Sequence, residues 1–251
     1  MTQTSSPIYD VIGRGYAEQR RPDPRIAAAI SAALGDAVSV LNVGAGAGSY
    51  EPTDRHVVAL EHSTVMMAQR PPESAPVVQG RGESLPFAGA AFDAVFGVLT
   101  IHHWADQVAG LRECARVARR RIVFFTWDPC SDGFWLTQQY LPQFMVRDHK
   151  RFPSIEVFAA AFGSDWRVKA LPVPIPRDCV DGFLGAYWAR PAAYLDPRVR
   201  SGMSSFDRIG GEDGLARLRS DLSDGTWTAR NGHVLALESL DIGYRIVVAD
   251  K

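Results

Sequence analysis

The chain reads as an α/β protein built on a parallel, doubly wound sheet, and three features of its 251 residues predict this. Short apolar, β-branched runs alternate with amphipathic helical stretches, as in successive β-α-β units. One such run, residues 38–43, breaks directly into Gly44-Ala45-Gly46-Ala47-Gly48. Glycines on alternate positions let the backbone turn with positive φ and put no Cβ between main chain and ligand. A second run, residues 56–61, ends in an acid, Glu61. Ligands of open α/β sheets sit at the carboxyl ends of strands, so this loop and this acid predict a small-molecule site.

Taken in order, residues 1–6 read as a frayed tail, and residues 8–21 carry tyrosines among arginines and glycines. Asp23-Pro24 starts a helix with Ile26, Ile30 and Leu34 on its apolar face, and Gly35 ends it. Strands follow over 38–43, 56–61, 76–79, 92–99 and 121–127. Ser63 caps a short helix over 64–70 that Pro71-Pro72 stops. Asp106 caps another, with Val108, Leu111, Ala115 and Ala118 sharing a face. Beyond Asp128-Pro129 the pattern predicts helices over 133–144 and 154–162, a strand over 166–173, helical or irregular chain over 174–232 and a closing strand over 243–249. The reading is one domain: an N-terminal lid over 1–25, a cofactor core over 26–127, a helical cap over 128–240 containing one core strand, and a final strand within 241–251.

Lysine and arginine (27) nearly balance aspartate and glutamate (28), for a net charge of −1, which argues against a nucleic-acid partner. The triplet Arg119-Arg120-Arg121 closes a helix pattern, where cations suit the last carbonyls. Cys114, Cys130 and Cys179 are odd in number and widely spaced, which predicts reduced thiols and no zinc site. No apolar run is long enough to cross a bilayer. A cytoplasmic protein with no membrane partner, working as a monomer or homodimer, is the expectation.

A dinucleotide would need G-x-G-x-x-G and then a helix to face its pyrophosphate. Here the third glycine comes one position early, Ser49 stands where the last should be, and Pro52-Thr53-Asp54-Arg55 leads straight into the next strand. The loop suits a cofactor without a phosphate. In their order and spacing, four segments resemble a class I S-adenosylmethionine (SAM)-dependent methyltransferase of the small-molecule group. They are the glycine loop, Leu60-Glu61-His62-Ser63 with Met66, Gly82-Glu83-Ser84-Leu85-Pro86-Phe87, and Phe92-Asp93-Ala94-Val95. The resemblance implies a Rossmann-like, mostly parallel seven-stranded sheet with an antiparallel last strand and helical insertions, and S-adenosyl-L-methionine as cofactor. It places Gly44, Ala45, Gly46 and Gly48 under the cofactor, Glu61 on its ribose, His62 and Met66 beside the adenine, Gly82 and Glu83 on the adenine edge, and Leu99 at the end of the fourth strand. Tyr16 and Arg21-Pro22 match an N-terminal segment that folds over the cofactor, with the arginine toward the methionine carboxylate. The chain departs from the family at Asn42, where an acid is usual, and at Arg81, where Asp or Asn is usual. The first departure calls for another acid or for weaker cofactor binding.

Methyl transfer is an in-line displacement that rests on alignment and exclusion of water, with a base where the acceptor must lose a proton. His102, His103, Trp104, Trp127 and Asp128 follow the fourth and fifth strands and can face the acceptor. Tyr9, Tyr16, Phe134, Trp135, Tyr140, Tyr187 and Trp188 either roof the acceptor or belong to the core. Neighbours on extended chain point oppositely, so the two histidines cannot chelate one metal, and one of them faces the pocket. His103 is favoured, with Ile101 on its face, to orient or deprotonate a small, partly apolar acceptor; His102 is the second candidate. Two alternatives stay open: a SAM-binding protein without methyl transfer, and a nicotinamide-dependent oxidoreductase.

Overall fold

A computed structural model describes residues 19–128, 130–206 and 210–251. Helix α1 (Pro24–Leu34) starts where the Asp23 carboxylate accepts the Arg25 N–H at 3.0 Å, with Pro24 in its first turn. Then come β1 (Ser39–Val43), β2 (His56–Glu61), α2 (Thr64–Met67), β3 (Val77–Gln79), β4 (Phe92–Val98), α3 (Gln107–Val117) and β5 (Ala118–Trp127). The second half holds α4 (Pro142–Asp148), α5 (Ile155–Phe162), β6 (Arg167–Pro172), a ribbon of β7 (Ile175–Pro176) and β8 (Ser239–Leu240), then α6 (Pro197–Arg200), α7 (Glu212–Ser223), α8 (Thr226–Asn231) and β9 (Tyr244–Asp250).

Seven strands form one sheet in the order β3-β2-β1-β4-β5-β9-β6. The first five run parallel, and β9 lies antiparallel between β5 and β6, as expected. β1 pairs with β2 on one side and β4 on the other, so the strand order reverses there. That reversal opens a crevice at the carboxyl ends of β1, β2 and β4.

The strands are apolar on both faces because both are covered. Val40, Phe96, Val123 and Phe125 pack on Ile26, Ile30 and Leu34 of α1 and on the aromatic residues of the second half. Leu41, Val95, Ile122 and Phe124 pack on Leu111 of α3 and Phe158 of α5.

Three elements differ from the sequence reading. The helix expected over 133–144 is interrupted: a π turn, Leu136–Tyr140, ends before Pro142, and α4 begins there. Proline lacks the N–H that would continue the ladder and pushes the preceding residue out of the helical region, and Leu141 has φ −128° and ψ 54°. The arginine triplet belongs to β5 rather than to a helix end. Each of its members reaches a different aspartate: Arg119 to Asp93, Arg120 to Asp36 and Arg121 to Asp250. The helix after β2 stops at Met67, three residues short of the expected end.

Asp23 is fully buried and also accepts from the Arg25 side chain and the Val180 N–H. Arg25 above all holds its carboxyl down at about 2. The stability this gives is complete above the ordinary carboxylate range and is lost as pH falls toward 2. Asp23→Asn should destabilise the fold at neutral pH by about 0.5–2 kcal/mol, the range for a lost cap. Urea midpoints measured across the acid range should fall less steeply in that variant; a slope equal to wild type would refute the assignment.

Candidate active site

The floor of the crevice is the loop after β1. The N–H groups of Gly44 and Ala45 both donate to the Leu60 carbonyl, at 2.8 and 3.0 Å, drawing the loop against β2. Gly44 has φ +71°, and a Cβ there would run into the Thr100 side chain, so only glycine fits. Residues 44–55, all described, contain no helix that could face a pyrophosphate.

Glu61 is 7% exposed, and three backbone N–H groups meet its charge. Oε2 accepts from Gly46 at 2.7 Å; Oε1 accepts from His62 and Ser63, both at 2.8 Å. Such bonds compensate a buried carboxylate and leave Oε2 a further acceptor direction.

A cavity opens above this floor. Gly44, Ala45 and Gly46 line it from below, with Glu61, His62 and Met66 from the end of β2. Gly82, Glu83, Leu99 and His103 complete the set of expected residues that converge. Gly48 does not line it; its N–H closes a turn on the Ala45 carbonyl at 2.9 Å. Arg21 is exposed, and the neighbouring Arg20 lines the cavity in its place. Tyr16 and most of the expected lid lie outside the described residues.

Arg20, Thr100 and Trp104 line the cavity without having been predicted as cofactor contacts. The Trp104 ring lies against Gly82, where a Cβ would come within 2.9 Å of it, and against Gly110. Only the fold brings those two glycines to one ring. Glu83 accepts the Ala105 N–H at 2.6 Å, fastening the loop that carries Trp104, and Arg81 stands 3.5 Å from its other oxygen.

Beyond Leu99 lies a second cavity, walled by His102, Trp127, Phe152, Phe183 and Tyr244. Among the described residues the two cavities share only Arg20 and Leu99 in their lining. Leu99 has φ +48°, a conformation that costs a branched side chain energy and bends the chain away from β4. Arg20 donates to Asp181 at 2.7 and 3.2 Å, and the Tyr50 hydroxyl donates to the same carboxylate at 2.8 Å. This buried group ties residue 20, the glycine loop and the second half of the chain together. Burial, with Asp181 alongside, pushes the Tyr50 hydroxyl far above its ordinary range.

The two histidines sit in a 3-10 turn, Ile101–His103, not on extended chain. Alternation therefore does not govern them, and each faces a different cavity, with ring centroids 3.9 Å apart. His103 faces the first; its Nδ1 lies 3.2 Å from Arg151 Nη2. A guanidinium can only donate, so Nδ1 is the accepting nitrogen and Nε2 carries the proton. His102 faces the second cavity, stacked on Phe152 with centroids 4.3 Å apart. Among the described residues its Nδ1 is buried without a hydrogen-bond partner. Burial first, then His103 and nearby arginines, hold the imidazole neutral to well below its ordinary range. Asp128 lines neither cavity, and Phe134, Trp135, Tyr140 and Trp188 belong to the core. Among the described residues, no three His, Cys, Asp or Glu side chains converge as a metal site.

A glycine cradle, a buried carboxylate with an open acceptor direction and an indole face are a donor set that fits an adenosyl sulfonium. Residues 41–125 match the methyltransferase domain family. A solved structure from Anabaena variabilis, described as a methyltransferase of an antibiotic biosynthesis pathway, is 32% identical with TM-score 0.83, covering 92% of this chain and 98% of that one. The chain belongs to the SAM-dependent methyltransferase family. A demethylmenaquinone methyltransferase of Mycobacterium sp. strain KMS is 35% identical over 126 residues, 48% of this chain and 55% of the relative. Across the curated relatives, the match spans between 27% and 55% of their length. The [4+2]-cyclase SpnF shares the fold with TM-score 0.59 at 16% identity, covering 98% of this chain and 95% of that one.

Glu61→Ala should weaken SAM binding by about 1.5–3 kcal/mol, the range for a hydrogen bond to a charged group. Calorimetric titration checks this, and wild-type affinity in the variant would remove Glu61 from the cofactor site.

Proposed function

We propose that the protein transfers the methyl group of SAM to a small, partly apolar acceptor held in the second cavity. The meeting of two cavities at Leu99 and Arg20, just past the end of β4, carries this reading. When bound, the cofactor would supply an electrophilic methyl group that an acceptor nucleophile attacks in line, with S-adenosylhomocysteine as the leaving group. The chain's own residues do the rest. The glycine loop, Glu61 and Trp104 hold the cofactor side, and Leu99 sets the boundary across which the reacting atoms align. Trp127, Phe152, Phe183 and Tyr244 exclude water and favour an apolar acceptor body.

His102 replaces His103 as the residue proposed to meet the acceptor. Its ring lines the acceptor cavity, and its Nδ1, sealed in this structure, has no partner among the described residues. A rotation of the ring that exposes Nδ1 lets it take the hydrogen bond of an acceptor hydroxyl or amine, whereas His103 Nδ1 already takes one from Arg151. Asp148 also lines this cavity but is paired with Arg147 at 2.6 Å, and Arg20 is paired with Asp181. The charges around the cavity cancel, which suits a neutral acceptor better than an ion. A cytoplasmic setting is part of the proposal, supported by three free cysteines; among the described residues no helix is long and apolar enough to cross a membrane.

Incubation with methyl-labelled SAM and a panel of small hydroxyl and amine compounds tests the reaction. Label should appear in a neutral aromatic or alicyclic product. A protein that binds SAM but labels none of the panel would favour the non-transferring alternative, for which the fold shared with a cyclase gives room. His102→Ala should lower turnover roughly 10²-fold, the low end for a proton acceptor, with S-adenosylhomocysteine affinity unchanged. Because burial depresses its protonation, the wild-type pH–rate profile should show no acid limb near 6.5, where an ordinary imidazole titrates. A limb there that His102→Ala abolished would contradict this role.

A further inference from the structure

Beneath the glycine loop lies a buried ion pair that none of these roles uses. The side chains of Glu51 and Arg70 are 8% and 4% exposed and meet at 2.8 Å. Arg70 Nη2 donates to both Glu51 oxygens and to the Ala75 carbonyl, and the Ala75 N–H donates to Glu51 Oε2 at 3.2 Å. A buried pair is by itself a weak source of stability, since desolvation offsets its attraction. Its inner side touches the site. Glu51 Oε1 accepts from Asn42 Nδ2 at 3.1 Å, and Asn42, 2% exposed, lines the first cavity near the end of β1.

A carboxylate only accepts, so this bond fixes which way the Asn42 amide faces: Nδ2 turns back to Glu51, and Oδ1 takes the opposite branch. Among the described residues Oδ1 receives no hydrogen bond, yet it is not among the sealed polar atoms that lack a partner. It is an open acceptor on the cavity wall, with an anion behind its amide. Polarisation along such a chain makes Oδ1 more negative, which favours a cationic donor over a neutral one.

We infer that Glu51, acting through Asn42, holds the ammonium group of the cofactor's amino-acid tail. Asn42 Oδ1 is the contact, and Glu51 is a positioning residue that supplies the charge behind it. The inference rests on the cofactor reading given above. It also accounts for the residue type at 42. An aspartate there would set a second carboxylate against Glu51, and two acids at that distance cannot both ionise. Asparagine passes the charge on without the repulsion.

Titration calorimetry with S-adenosylhomocysteine and with 5′-methylthioadenosine, which lacks the amino-acid tail, tests the inference. Glu51→Gln leaves Arg70 uncompensated and should weaken S-adenosylhomocysteine by roughly threefold to thirtyfold, the scale of second-layer coupling. Its affinity for 5′-methylthioadenosine should stay within about twofold, a selectivity that a merely structural prop would not give. The pair Asn42→Asp with Glu51→Gln returns an acid to the cavity wall and should restore S-adenosylhomocysteine binding. Should Glu51→Gln fail to fold, Asn42→Ala carries the same two-ligand comparison. Equal losses for both ligands, no loss for either, or a double variant as weak as the single one would each overturn the inference. Wild-type protein that bound neither ligand would instead overturn the cofactor reading on which it rests.

Discussion

The carboxylate of Glu61 holds the site together. It ends β2, accepts from the two residues that follow it, and reaches across to the Gly46 N–H at 2.7 Å. With the bonds from Gly44 and Ala45 to the Leu60 carbonyl, the glycine loop becomes a continuation of the sheet rather than a free connection. A loop so fixed presents its backbone to a ligand in one geometry, so less ordering entropy is lost on binding. The same fixation explains why the loop must be glycine where it is tightest: Thr100, at the end of the neighbouring strand, fills the place a Cβ at 44 would need.

From that floor the crevice divides at Leu99. Its left-handed backbone ends β4 abruptly and lets the next residues coil into a short 3-10 turn. The turn rotates successive side chains by about a third of a circle rather than a half, so adjacent histidines reach separate cavities. One bonds an arginine, and the other has a buried nitrogen with no partner among the described residues. The difference between them is environmental, since chemically they are the same side chain.

Much of the fold was legible because its causes are local. Apolar runs marked the strands, and Asp23-Pro24, Ser63 and Asp106 marked helix starts that the structure keeps. Most cofactor-side candidates converge on one cavity because strand ends and the loops just past them are where an open sheet gathers ligands. What the sequence concealed depends on angles and partners remote in the chain. Arg20 and Arg21 are neighbours with identical chemistry, and only the carboxylate of Asp181 selects the first. The two histidines enter different cavities because the chain past β4 coils into a 3-10 turn rather than staying extended. The acid expected in place of Asn42 has a counterpart nine residues on, at Glu51, which no spacing rule singles out.

Charge is arranged around the two cavities in pairs. Arg20 meets Asp181 at 2.7 Å, Arg70 meets Glu51 at 2.8 Å, Arg147 meets Asp148 at 2.6 Å and Arg81 lies 3.5 Å from Glu83. A wall of four arginines facing unpaired into a crevice would draw polyanions, and the overall charge of −1 gives no such pull. Paired, each cation instead fixes one carboxylate, and three of the four carboxylates hold a further group: Asp181 the residues before α1, Glu51 the amide of Asn42, Glu83 the loop of Trp104. Dipoles held this way need little reorganisation when a ligand arrives, which is the condition under which electrostatic alignment speeds a reaction. A cavity wall built from such pairs discriminates by where its open acceptors point, and among the described residues these include Glu61 Oε2 and Asn42 Oδ1.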